Sequence, residues 1–183
     1  YAREIAEAGL DIDAIKLNPD NPFQWASGFR MPVYNDNRMF LYNHEDRKLI
    51  TDAFYKIINK IGFDVVAGTS TAGIPWGTLL ANRFKAPFIY VRDKPKDHGL
   101  RNQIEGIDAE DGLDGHVVVL IEDLISTGGS SAGAVQAIRN ANGICNSCVS
   151  IFNYGFNEAR EIFDGKKPYD REGNFLEERC KTR

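Results

Sequence analysis

Short apolar segments alternate with segments of helical periodicity through the middle of the chain, and this alternation constrains the fold more than any other feature. We expect strands at 64–69, 87–92, 116–123 and 148–153, with helices at 72–84 and 128–142. Strands that are apolar on both faces and are joined by helices are typical of a parallel sheet covered on both sides. The sequence therefore predicts an α/β fold with a central parallel sheet flanked by helices.

The segment that precedes these strands has a different pattern. Apolar residues at helical spacing predict a short helix over 4–17, which the turn residues at 18–21 bring to an end. Aromatic residues, a turn and Pro32 then indicate a bent hairpin over 23–41. A second helix follows, with Asn43 as its N-cap and an apolar stripe that includes Ile57, and it ends at Gly62.

Length, composition and charge limit the classes of protein to which the chain can belong. The chain has 183 residues, of which 43% are apolar and 26% are charged, the balance expected of one folded domain spanning 1–183. No apolar run approaches the roughly 20 residues that a membrane-spanning helix needs. The net charge of −4 argues against a broad nucleic-acid interface, which would need a basic excess. An anionic ligand would therefore have to be held by local groups.

The cysteines predict a reducing compartment, and they do not predict a metal site or a redox centre. Three of them, an odd number, occur in a chain without a secretory leader, which predicts a reducing compartment such as the cytoplasm. Cys145 and Cys148 form a C-x-x-C pair. Since residues three apart on a strand point to opposite faces, we expect the pair to be structural and not a metal site or a redox centre.

The connection over 93–115 is long for such a fold, because connections above about 12–15 residues without regular structure are uncommon. It carries Lys94, Lys96, His98 and Arg101 near its start and is acidic in its latter half. Its length fits either a solvated surface loop or a lid over an active site, and length alone does not separate the two.

The most informative motif lies at 117–130. The most apolar strand ends there in Glu122 and Asp123, and a loop of small residues then leads into a helix. Ligands of open α/β sheets bind at this end of the strands. Backbone N–H groups at the start of the helix, together with Ser and Thr hydroxyls, are suited to an anion such as phosphate. The carboxylates would repel phosphate, so we expect them to bind hydroxyls or a divalent cation.

Other phosphate-binding motifs fit these residues less well. A P-loop would need a lysine after Gly129, and the dinucleotide-binding motif would need G-x-G-x-x-G after the first strand. A strand that ends in acidic residues could hold Mg²⁺ in a nucleoside triphosphatase, but it would need a P-loop as its partner. The sequence contains no P-loop motif. Ribose hydroxyls beside a 5′-phosphate fit the motif better.

The motif at 117–130 resembles the phosphoribosyl-diphosphate (PRPP) binding signature of type I phosphoribosyltransferases. Further segments resemble the orotate phosphoribosyltransferase branch of that family, and they lie at 25–28, 32–38, 67–75, 90–99 and 102–106. The resemblance covers about residues 19 to 156 and implies the type I phosphoribosyltransferase fold. That fold would include a small hood, formed by about 1–42 and the C-terminal tail, and a long mobile lid at 93–115.

The resemblance also implies the residues that bind PRPP. Two adjacent carboxylates would hold its ribose hydroxyls, and two strand-to-helix turns would hold the 5′-phosphate and the pyrophosphate. The implied PRPP-binding residues are Glu122, Asp123, Leu124, Ile125, Ser126, Thr127, Gly128, Gly129 and Ser130, with Thr69, Ser70, Thr71, Ala72 and Gly73 at the second turn.

The implied activity is the transfer of the phosphoribosyl group of PRPP to orotate, which gives orotidine 5′-monophosphate and pyrophosphate in de novo pyrimidine (UMP) biosynthesis. Arg92, Lys96 and His98 would be the catalytic cations, on a lid that closes over the neighbouring subunit of a homodimer. Ser126 and Arg38 are the candidates for contact with orotate.

The resemblance implies Mg²⁺ as the cofactor, held mainly through PRPP, with Asp123 as a candidate ligand. PRPP and orotate are the expected partners besides the second subunit, and neither nucleic acid nor a membrane is expected. Two alternative functions stay open at this point. One is a phosphoribosyltransferase for another base, and the other is a regulator that senses PRPP without catalysis.

Overall fold

The chain divides after Ile57 into two units in the computed structural model, which describes residues 1–25, 28–93, 103–108 and 112–163. The first unit runs from Tyr1 to Ile57, and the second begins at Ile58. The motif at 117–130 therefore belongs to the second unit, whereas Arg38 belongs to the first.

Two small antiparallel ribbons, two α-helices and a 3₁₀ helix build the first unit. Its elements are α1 (Ala2–Asp11), β1 (Ile15–Leu17), β2 (Phe23–Gln24), β3 (Arg30–Met31), β4 (Val33–Asn35), a 3₁₀ helix (Asn37–Leu41) and α2 (His44–Ile58), which crosses the unit boundary. β2 pairs with β3, so the hairpin expected in this region is confirmed. β4 pairs instead with β1, with Asn35 opposite Ile15.

The helix expected over 4–17 is wrong in its second half. α1 ends at Asp11, Asp13 adopts a left-handed conformation with a φ of 58°, and Ile15 begins β1. A left-handed residue does not continue a right-handed helix, and β1 gains a hydrogen-bonded partner strand in β4. The helical spacing of apolar residues therefore extends past the point where the backbone turns.

α2 begins as Asn43 predicts. The Asn43 Oδ1 accepts a hydrogen bond from the backbone N–H of Glu45 at 2.9 Å, which satisfies one of the N–H groups that lack an intrahelical acceptor. The apolar stripe is less continuous than expected, because Ile57 is 51% exposed. The helix also ends at Ile58, before the stop predicted at Gly62.

A five-stranded sheet is the centre of the second unit. The elements of this unit are β5 (Val65–Thr69), α3 (Gly73–Phe84), β6 (Phe88–Val91), β7 (Ile104–Glu105), β8 (Val117–Ile125), α4 (Gly129–Asn140), β9 (Ile144–Asn153) and α5 (Asn157–Phe163). The strand order is β7-β6-β5-β8-β9, and every neighbouring pair is parallel except β6 and β7. The predicted alternation of strands and helices around a mostly parallel sheet is confirmed. No helix among the described residues has the length and apolar character needed to cross a membrane.

The helices α3 and α4 lie on opposite faces of this sheet. Ala67 of β5 belongs to a buried apolar cluster with Ala134 and Ile138 of α4. The next residue, Gly68, faces the other way, since side chains alternate along a strand. A Cβ placed on Gly68 would lie 2.8 Å from the carbonyl oxygen of Gly73, so α3 packs directly on this face.

The connection over 93–115 contains regular structure that the sequence pattern does not predict. β7 adds an antiparallel edge strand to β6, and Leu113 is fully buried. A two-residue strand is too short to produce a recognisable period. Residues 94–102 and 109–111, which include Lys96 and His98, lie outside the described residues. The lid therefore stays a prediction.

Cys145 and Cys148 both lie on β9, and the expectation that they point to opposite faces is wrong. The pairing of β8 with β9 shifts between Val117 and Val119, where β9 carries an extra residue. Such a bulge interrupts the alternation of side chains, and Cys148 packs against the buried cluster that contains Cys145. Both cysteines are free, and burial raises the pKa of each thiol. These features support a structural role, because the thiolate is the reactive and metal-binding form.

α5 follows β9 and is not predicted by the sequence pattern. It packs against the start of α4, where a Cβ placed on Gly128 would lie 3.1 Å from the Cα of Ala159. Residues 164–183 lie outside the described residues, so the contribution of the C-terminal tail to a hood stays a prediction.

We expect Gly68→Ala to lower the free energy of unfolding by about 1–3 kcal/mol, because overpacking of a close contact forces the backbone to shift. The added methyl would meet three backbone atoms of Gly73 and Ile74 at 2.8–3.1 Å. Gly133→Ala in α4 is the matched control, since nothing lies within 4 Å of its Cβ position. It should leave stability unchanged or raise it by up to about 1 kcal/mol. Urea unfolding measures both effects, and an unchanged stability of Gly68→Ala would contradict the packing of α3.

Candidate active site

The carboxyl ends of β5 and β8 form one edge of the sheet. The two strands are parallel neighbours, with Gly68 opposite Ile121, so the residues that follow each of them are brought together. Contact between side chains confirms this, because the Thr69 hydroxyl donates a hydrogen bond to Glu122 Oε1 at 2.7 Å. The two turns predicted to bind phosphate groups therefore follow neighbouring strands at one edge of the sheet.

Each of these two strands leads into a helix whose first turn has no side-chain cap. α3 begins after Ala72 and α4 begins after Gly128, and neither residue makes a capping hydrogen bond through its side chain. The first N–H groups of a helix have no intrahelical acceptor, and together with the helix dipole they attract anions. The edge thus carries two neighbouring turns suited to anions, the Thr69 turn (residues 69–73) and the Ser126 turn (residues 126–130).

Two glycines allow the backbone to form these turns. Gly128 has a φ of 84°, a left-handed conformation that side chains rarely adopt. A Cβ placed on Gly73 would overlap the carbonyl oxygen of Ile121 and the Thr69 hydroxyl. In the same turn the peptide bond between Ser70 and Thr71 is cis.

Glu122 is buried and receives hydrogen bonds from three directions. Its Oε1 accepts from the Thr69 hydroxyl at 2.7 Å and from the backbone N–H of Asp123 at 3.0 Å. Its Oε2 accepts from the Ser131 hydroxyl at 2.9 Å. Glu122 is 6% exposed, whereas Asp123 is half-buried. The two predicted sugar-binding carboxylates therefore have different surroundings, and Asp123 is the more accessible one.

Burial raises the pKa of the Glu122 carboxyl from 4.5 to about 7, because a charge is poorly stabilised away from water. The hydrogen bond donated by Thr69 opposes this rise, whereas a hydrogen bond between the side chains of Glu122 and Asp123 and the nearby charge of Asp123 both add to it. The Ser131 hydroxyl acts in the same direction as Thr69. Burial has the largest effect on the pKa of Glu122, so this pKa is raised overall.

A cavity of about 230 Å³ opens beside the Ser126 turn. It is lined by Thr69, Val91, Arg92, Asp93, Gln103, Gly129, Ser130, Gly133 and Ala134. Two hydrogen bonds cross its wall, one from the Ser130 hydroxyl to Asp93 at 3.4 Å and one from Gln103 Nε2 to the carbonyl oxygen of Arg92 at 2.8 Å. The start of α4 and the first residues of the predicted lid therefore share one cavity.

Arg92 is the predicted catalytic cation that the structure describes. It lies just after β6, and its backbone N–H donates to the carbonyl oxygen of Gln103 at 2.8 Å. Its guanidinium pairs with Glu105 of β7 at 3.4 Å, and its side chain is partly exposed. The edge strand β7 thus holds Arg92 beside the cavity. Lys96 and His98, the other two predicted cations, lie outside the described residues.

Arg38, a candidate for contact with orotate, lies on the 3₁₀ helix of the first unit. Its Nε and Nη2 donate to the two carboxylate oxygens of Asp36 at 2.6 and 2.8 Å. This pair holds the pKa of Asp36 below its usual value. A ligand would have to use the remaining donors of Arg38 or displace the pair, so its role stays a prediction.

Two polar residues at this edge are missing from the sequence predictions. Ser131 is 2% exposed and binds Glu122, although the sequence motif points only as far as Ser130. Gln103 lines the cavity and is hydrogen-bonded to Arg92 in both directions. Ser131 carries a signal that could have been used, because it directly follows the loop of small residues. Gln103 lies in the family-like segment 102–106, but that segment does not show that its side chain reaches the site, because the pairing of β7 with β6 brings it there.

The described residues do not hold a metal ion by themselves. No group of three or more His, Cys, Asp or Glu side chains among them is arranged to bind one. Asp123 can supply one carboxylate at the accessible edge, and Mg²⁺ is commonly bound by one or two carboxylates together with phosphate oxygens of a substrate. The residues therefore fit a divalent cation that arrives with a phosphorylated ligand.

Comparison with known proteins gives consistent matches. The family model described as "Phosphoribosyl transferase domain" matches residues 38–170 of this chain. An orotate phosphoribosyltransferase of Cytophaga hutchinsonii is 44% identical to the chain over 165 residues, which are 89% of this chain and 77% of that protein. One from Streptococcus agalactiae serotype III is 46% identical over 164 residues, which are 88% of this chain and 77% of that protein.

A solved structure agrees with these matches. The crystal structure of orotate phosphoribosyltransferase from Aeropyrum pernix superposes with a TM-score of 0.74 at 27% sequence identity, and the match covers 86% of each chain. Similarity of sequence and similarity of fold therefore point in the same direction.

We expect Glu122→Gln to change how stability depends on pH. Below pH 4.5 the buried carboxyl is protonated in the folded and unfolded states, whereas above pH 7 its charge is buried at full cost. The native protein therefore loses stability from this group as the pH rises from 4.5 to 7, and glutamine removes that loss. The stability of the variant relative to the native protein should rise by roughly 1–3 kcal/mol between pH 5 and pH 8. Urea unfolding at both pH values measures this, and parallel pH profiles would contradict it.

Proposed function

Because the chain belongs to the phosphoribosyl transferase domain family and, within it, to the orotate phosphoribosyltransferases, we propose that it joins orotate to the phosphoribosyl group of PRPP. The products are orotidine 5′-monophosphate and pyrophosphate, which places the reaction in pyrimidine (UMP) biosynthesis. The type I phosphoribosyltransferase fold expected from the sequence is confirmed by this membership and by the structural match.

One observation carries this proposal. Two uncapped helix starts follow neighbouring parallel strands, and a half-buried carboxylate, Asp123, lies near the C-terminal end of one of these strands. PRPP has phosphate groups at both ends of a ribose and hydroxyls between them. An edge that offers two anion-binding turns and a hydroxyl acceptor is complementary to that arrangement.

The residue types of the Ser126 turn and the Thr69 turn indicate which phosphate group of PRPP each of them binds. We assign the 5′-phosphate to the Ser126 turn, because its Ser and Thr hydroxyls and its glycines allow close approach to a tetrahedral anion. We assign the pyrophosphate to the Thr69 turn, and the ribose hydroxyls to Glu122 and Asp123, which lie near the C-terminal end of β8. Hydroxyls and carboxylates make good hydrogen-bonded pairs at neutral pH.

The chemical step calls for cations and not for a strong base. As the bond from C1 of ribose to pyrophosphate weakens, the ring gains oxocarbenium character and the leaving group gains negative charge. Orotate attacks C1 through a ring nitrogen, and the proton on that nitrogen is lost as the N–C1 bond forms and the bond to pyrophosphate breaks. The departing pyrophosphate or water can accept this proton, so no strong protein base is required. Arg92, Lys96 and His98 would stabilise the leaving group, where preorganised positive charge is most effective. A lid that carries Lys96 and His98 would also exclude water, which could otherwise hydrolyse PRPP.

We propose Mg²⁺ as the cofactor. When bound, it would neutralise charge on the pyrophosphate of PRPP. Asp123 is the candidate protein ligand, and the remaining ligands would be phosphate oxygens and water. This is consistent with the lack of a preformed metal cluster among the described residues.

The proposal also covers the residues that contact orotate, the oligomeric state of the protein and its location in the cell. We assign orotate contacts to Ser126, at the end of β8, and to Arg38. A homodimer in which each lid serves the partner's site, located in the cytoplasm, is consistent with the family resemblance and with the free thiols of Cys145 and Cys148.

The substrate assignment is tested by pyrophosphate release. With PRPP and Mg²⁺ present, orotate should support turnover at least about 100-fold faster than adenine or hypoxanthine, because a wrongly shaped base leaves polar groups of the site unpaired. Turnover with a purine base alone would make the protein a phosphoribosyltransferase for another base. PRPP binding without turnover of any base would make it a regulator.

The shared lid is tested by mixing two inactive variants. Lys96→Ala should lower kcat by roughly 10²–10³-fold, and Asp123→Asn should weaken PRPP binding. If each lid acts on its partner's site, an equal mixture should regain about a quarter of native activity, since half of the dimers would be mixed and hold one complete site. Activity measured before and after subunit exchange checks this. Unchanged activity after exchange would mean that the lid acts on its own subunit.

A further inference from the structure

We infer that Glu105 and Gln103 are positioning residues, which serve the proposed reaction by fixing Arg92. Glu105 orients the guanidinium group of Arg92, and Gln103 holds the backbone that carries it. This inference rests on the proposed function, because it concerns a cation assigned to the departing pyrophosphate. It gives a role in the reaction to two residues that need not contact either substrate.

The backbone of Arg92 is bound on both sides by one residue. The Arg92 N–H donates to the carbonyl oxygen of Gln103 at 2.8 Å, which continues the pairing of β6 with β7 by one residue. The Arg92 carbonyl oxygen accepts a hydrogen bond from Gln103 Nε2, also at 2.8 Å. Both polar groups of the Arg92 main chain are therefore satisfied by Gln103, and the position of this backbone depends on that residue.

Glu105 holds the other end of Arg92. Arg92 Nη1 lies 3.4 Å from Glu105 Oε1. Glu105 is directly opposite Tyr90, so Arg92 reaches it along the diagonal between the two strands, a distance that long side chains can span. A guanidinium has five N–H donors, and this contact uses one of its nitrogens. The ion pair can therefore orient the group while other donors stay available to a phosphate.

β7 is itself firmly placed, which suits it to this role. Ile104, between the two positioning residues, is 7% exposed and belongs to the buried apolar cluster. Because side chains alternate along a strand, Gln103 and Glu105 both point away from that cluster. Gly106 has a φ of 96°, and a Cβ placed on it would lie 3.0 Å from the carbonyl oxygen of Phe88. The chain thus packs closely on β6 directly after Glu105.

The charge of Glu105 favours an action through Arg92. A carboxylate close to departing pyrophosphate would oppose the reaction, because like charges repel. The side chains of Arg92 and Glu105 are 41% and 20% exposed, and ion pairs that are open to solvent add little to stability. Orientation of the cation is the benefit that remains, since charge that is already in place needs no rearrangement during the reaction.

A double-mutant cycle in kcat tests the role of Glu105. With saturating orotate, PRPP and Mg²⁺, Arg92→Ala should lower kcat about 100-fold, and Glu105→Ala should lower it about tenfold. In the Arg92→Ala background, Glu105→Ala should change kcat by less than about twofold, because no guanidinium is left to orient. A residue that acts only on the stability of the fold would not show this dependence on Arg92.

Two further variants examine the contacts separately. Glu105→Gln keeps an acceptor at the end of a side chain of the same length but removes its charge, so it should retain more kcat than Glu105→Ala. Gln103→Ala removes the donor to the Arg92 carbonyl oxygen and should lower kcat about threefold. Its effect should fall below about twofold in the Arg92→Ala background. If Glu105→Ala does not unfold cooperatively, the cycle with Glu105→Gln decides in the same way.

Asp52→Ala is the matched control. Asp52 of α2 pairs with Lys48 at 2.7 Å, and its side chain is 22% exposed, close to the value for Glu105. Loss of this ion pair should leave kcat within about twofold of the native value. Urea unfolding of Asp52→Ala and Glu105→Ala should give similar midpoints, because each variant removes one partly exposed ion pair.

The outcomes separate this inference from the proposed function. A native protein that turns over no orotate would contradict the proposed function. If the native protein is active, the inference alone is wrong when Glu105→Ala keeps or raises kcat. It is also wrong when Glu105→Ala lowers kcat by the same factor with and without Arg92. An unchanged kcat in Arg92→Ala would overturn it as well, since there would be no catalytic cation to position.

Discussion

The parallel pairing of β5 with β8 is the constraint on which the rest of the site depends. With Gly68 opposite Ile121, both strands reach the same edge of the sheet, and each continues into a helix whose start has no side-chain cap. A shift of the pairing by one residue would turn the side chains of one strand to the opposite face. The bond from Thr69 to Glu122 would then be lost, and the two turns would no longer be joined.

Close packing makes that pairing possible on the face covered by α3. Glycine at positions 68 and 73 allows α3 to approach the sheet so closely that a methyl group would meet backbone atoms. The other face is covered by α4 and has an ordinary apolar core, in which Ala67 and Ile138 take part. One face therefore sets the position of the Thr69 turn through backbone contact, and both faces bury apolar side chains, since Trp76 and Leu80 of α3 are fully buried as well.

Particular residues illustrate the limits of reading the sequence. Helical spacing placed a helix over 4–17, but local spacing does not indicate where the left-handed Asp13 turns the chain. The C-x-x-C pair was expected to face two ways, and a bulge in β9 places Cys148 against the cluster that contains Cys145. Strand periodicity assumes a regular ladder, and a bulge depends on the partner strand, which the local sequence does not specify.

By itself, the sequence determined the α/β class, the order of β5, α3, β6, β8, α4 and β9 in the second unit and the motif at 117–130, because these depend on periodicity and on residue types that are close in the chain. It also placed Glu122 and Asp123 on a strand, although it ended that strand at Asp123 and β8 continues to Ile125. Only the tertiary structure decided that the two carboxylates differ, that Ser131 and Gln103 belong to the site and that Arg92 is held by Glu105. The physical reason is that burial, hydrogen-bond partners and pKa values depend on which distant segments pack together, and the pairing of strands determines that packing.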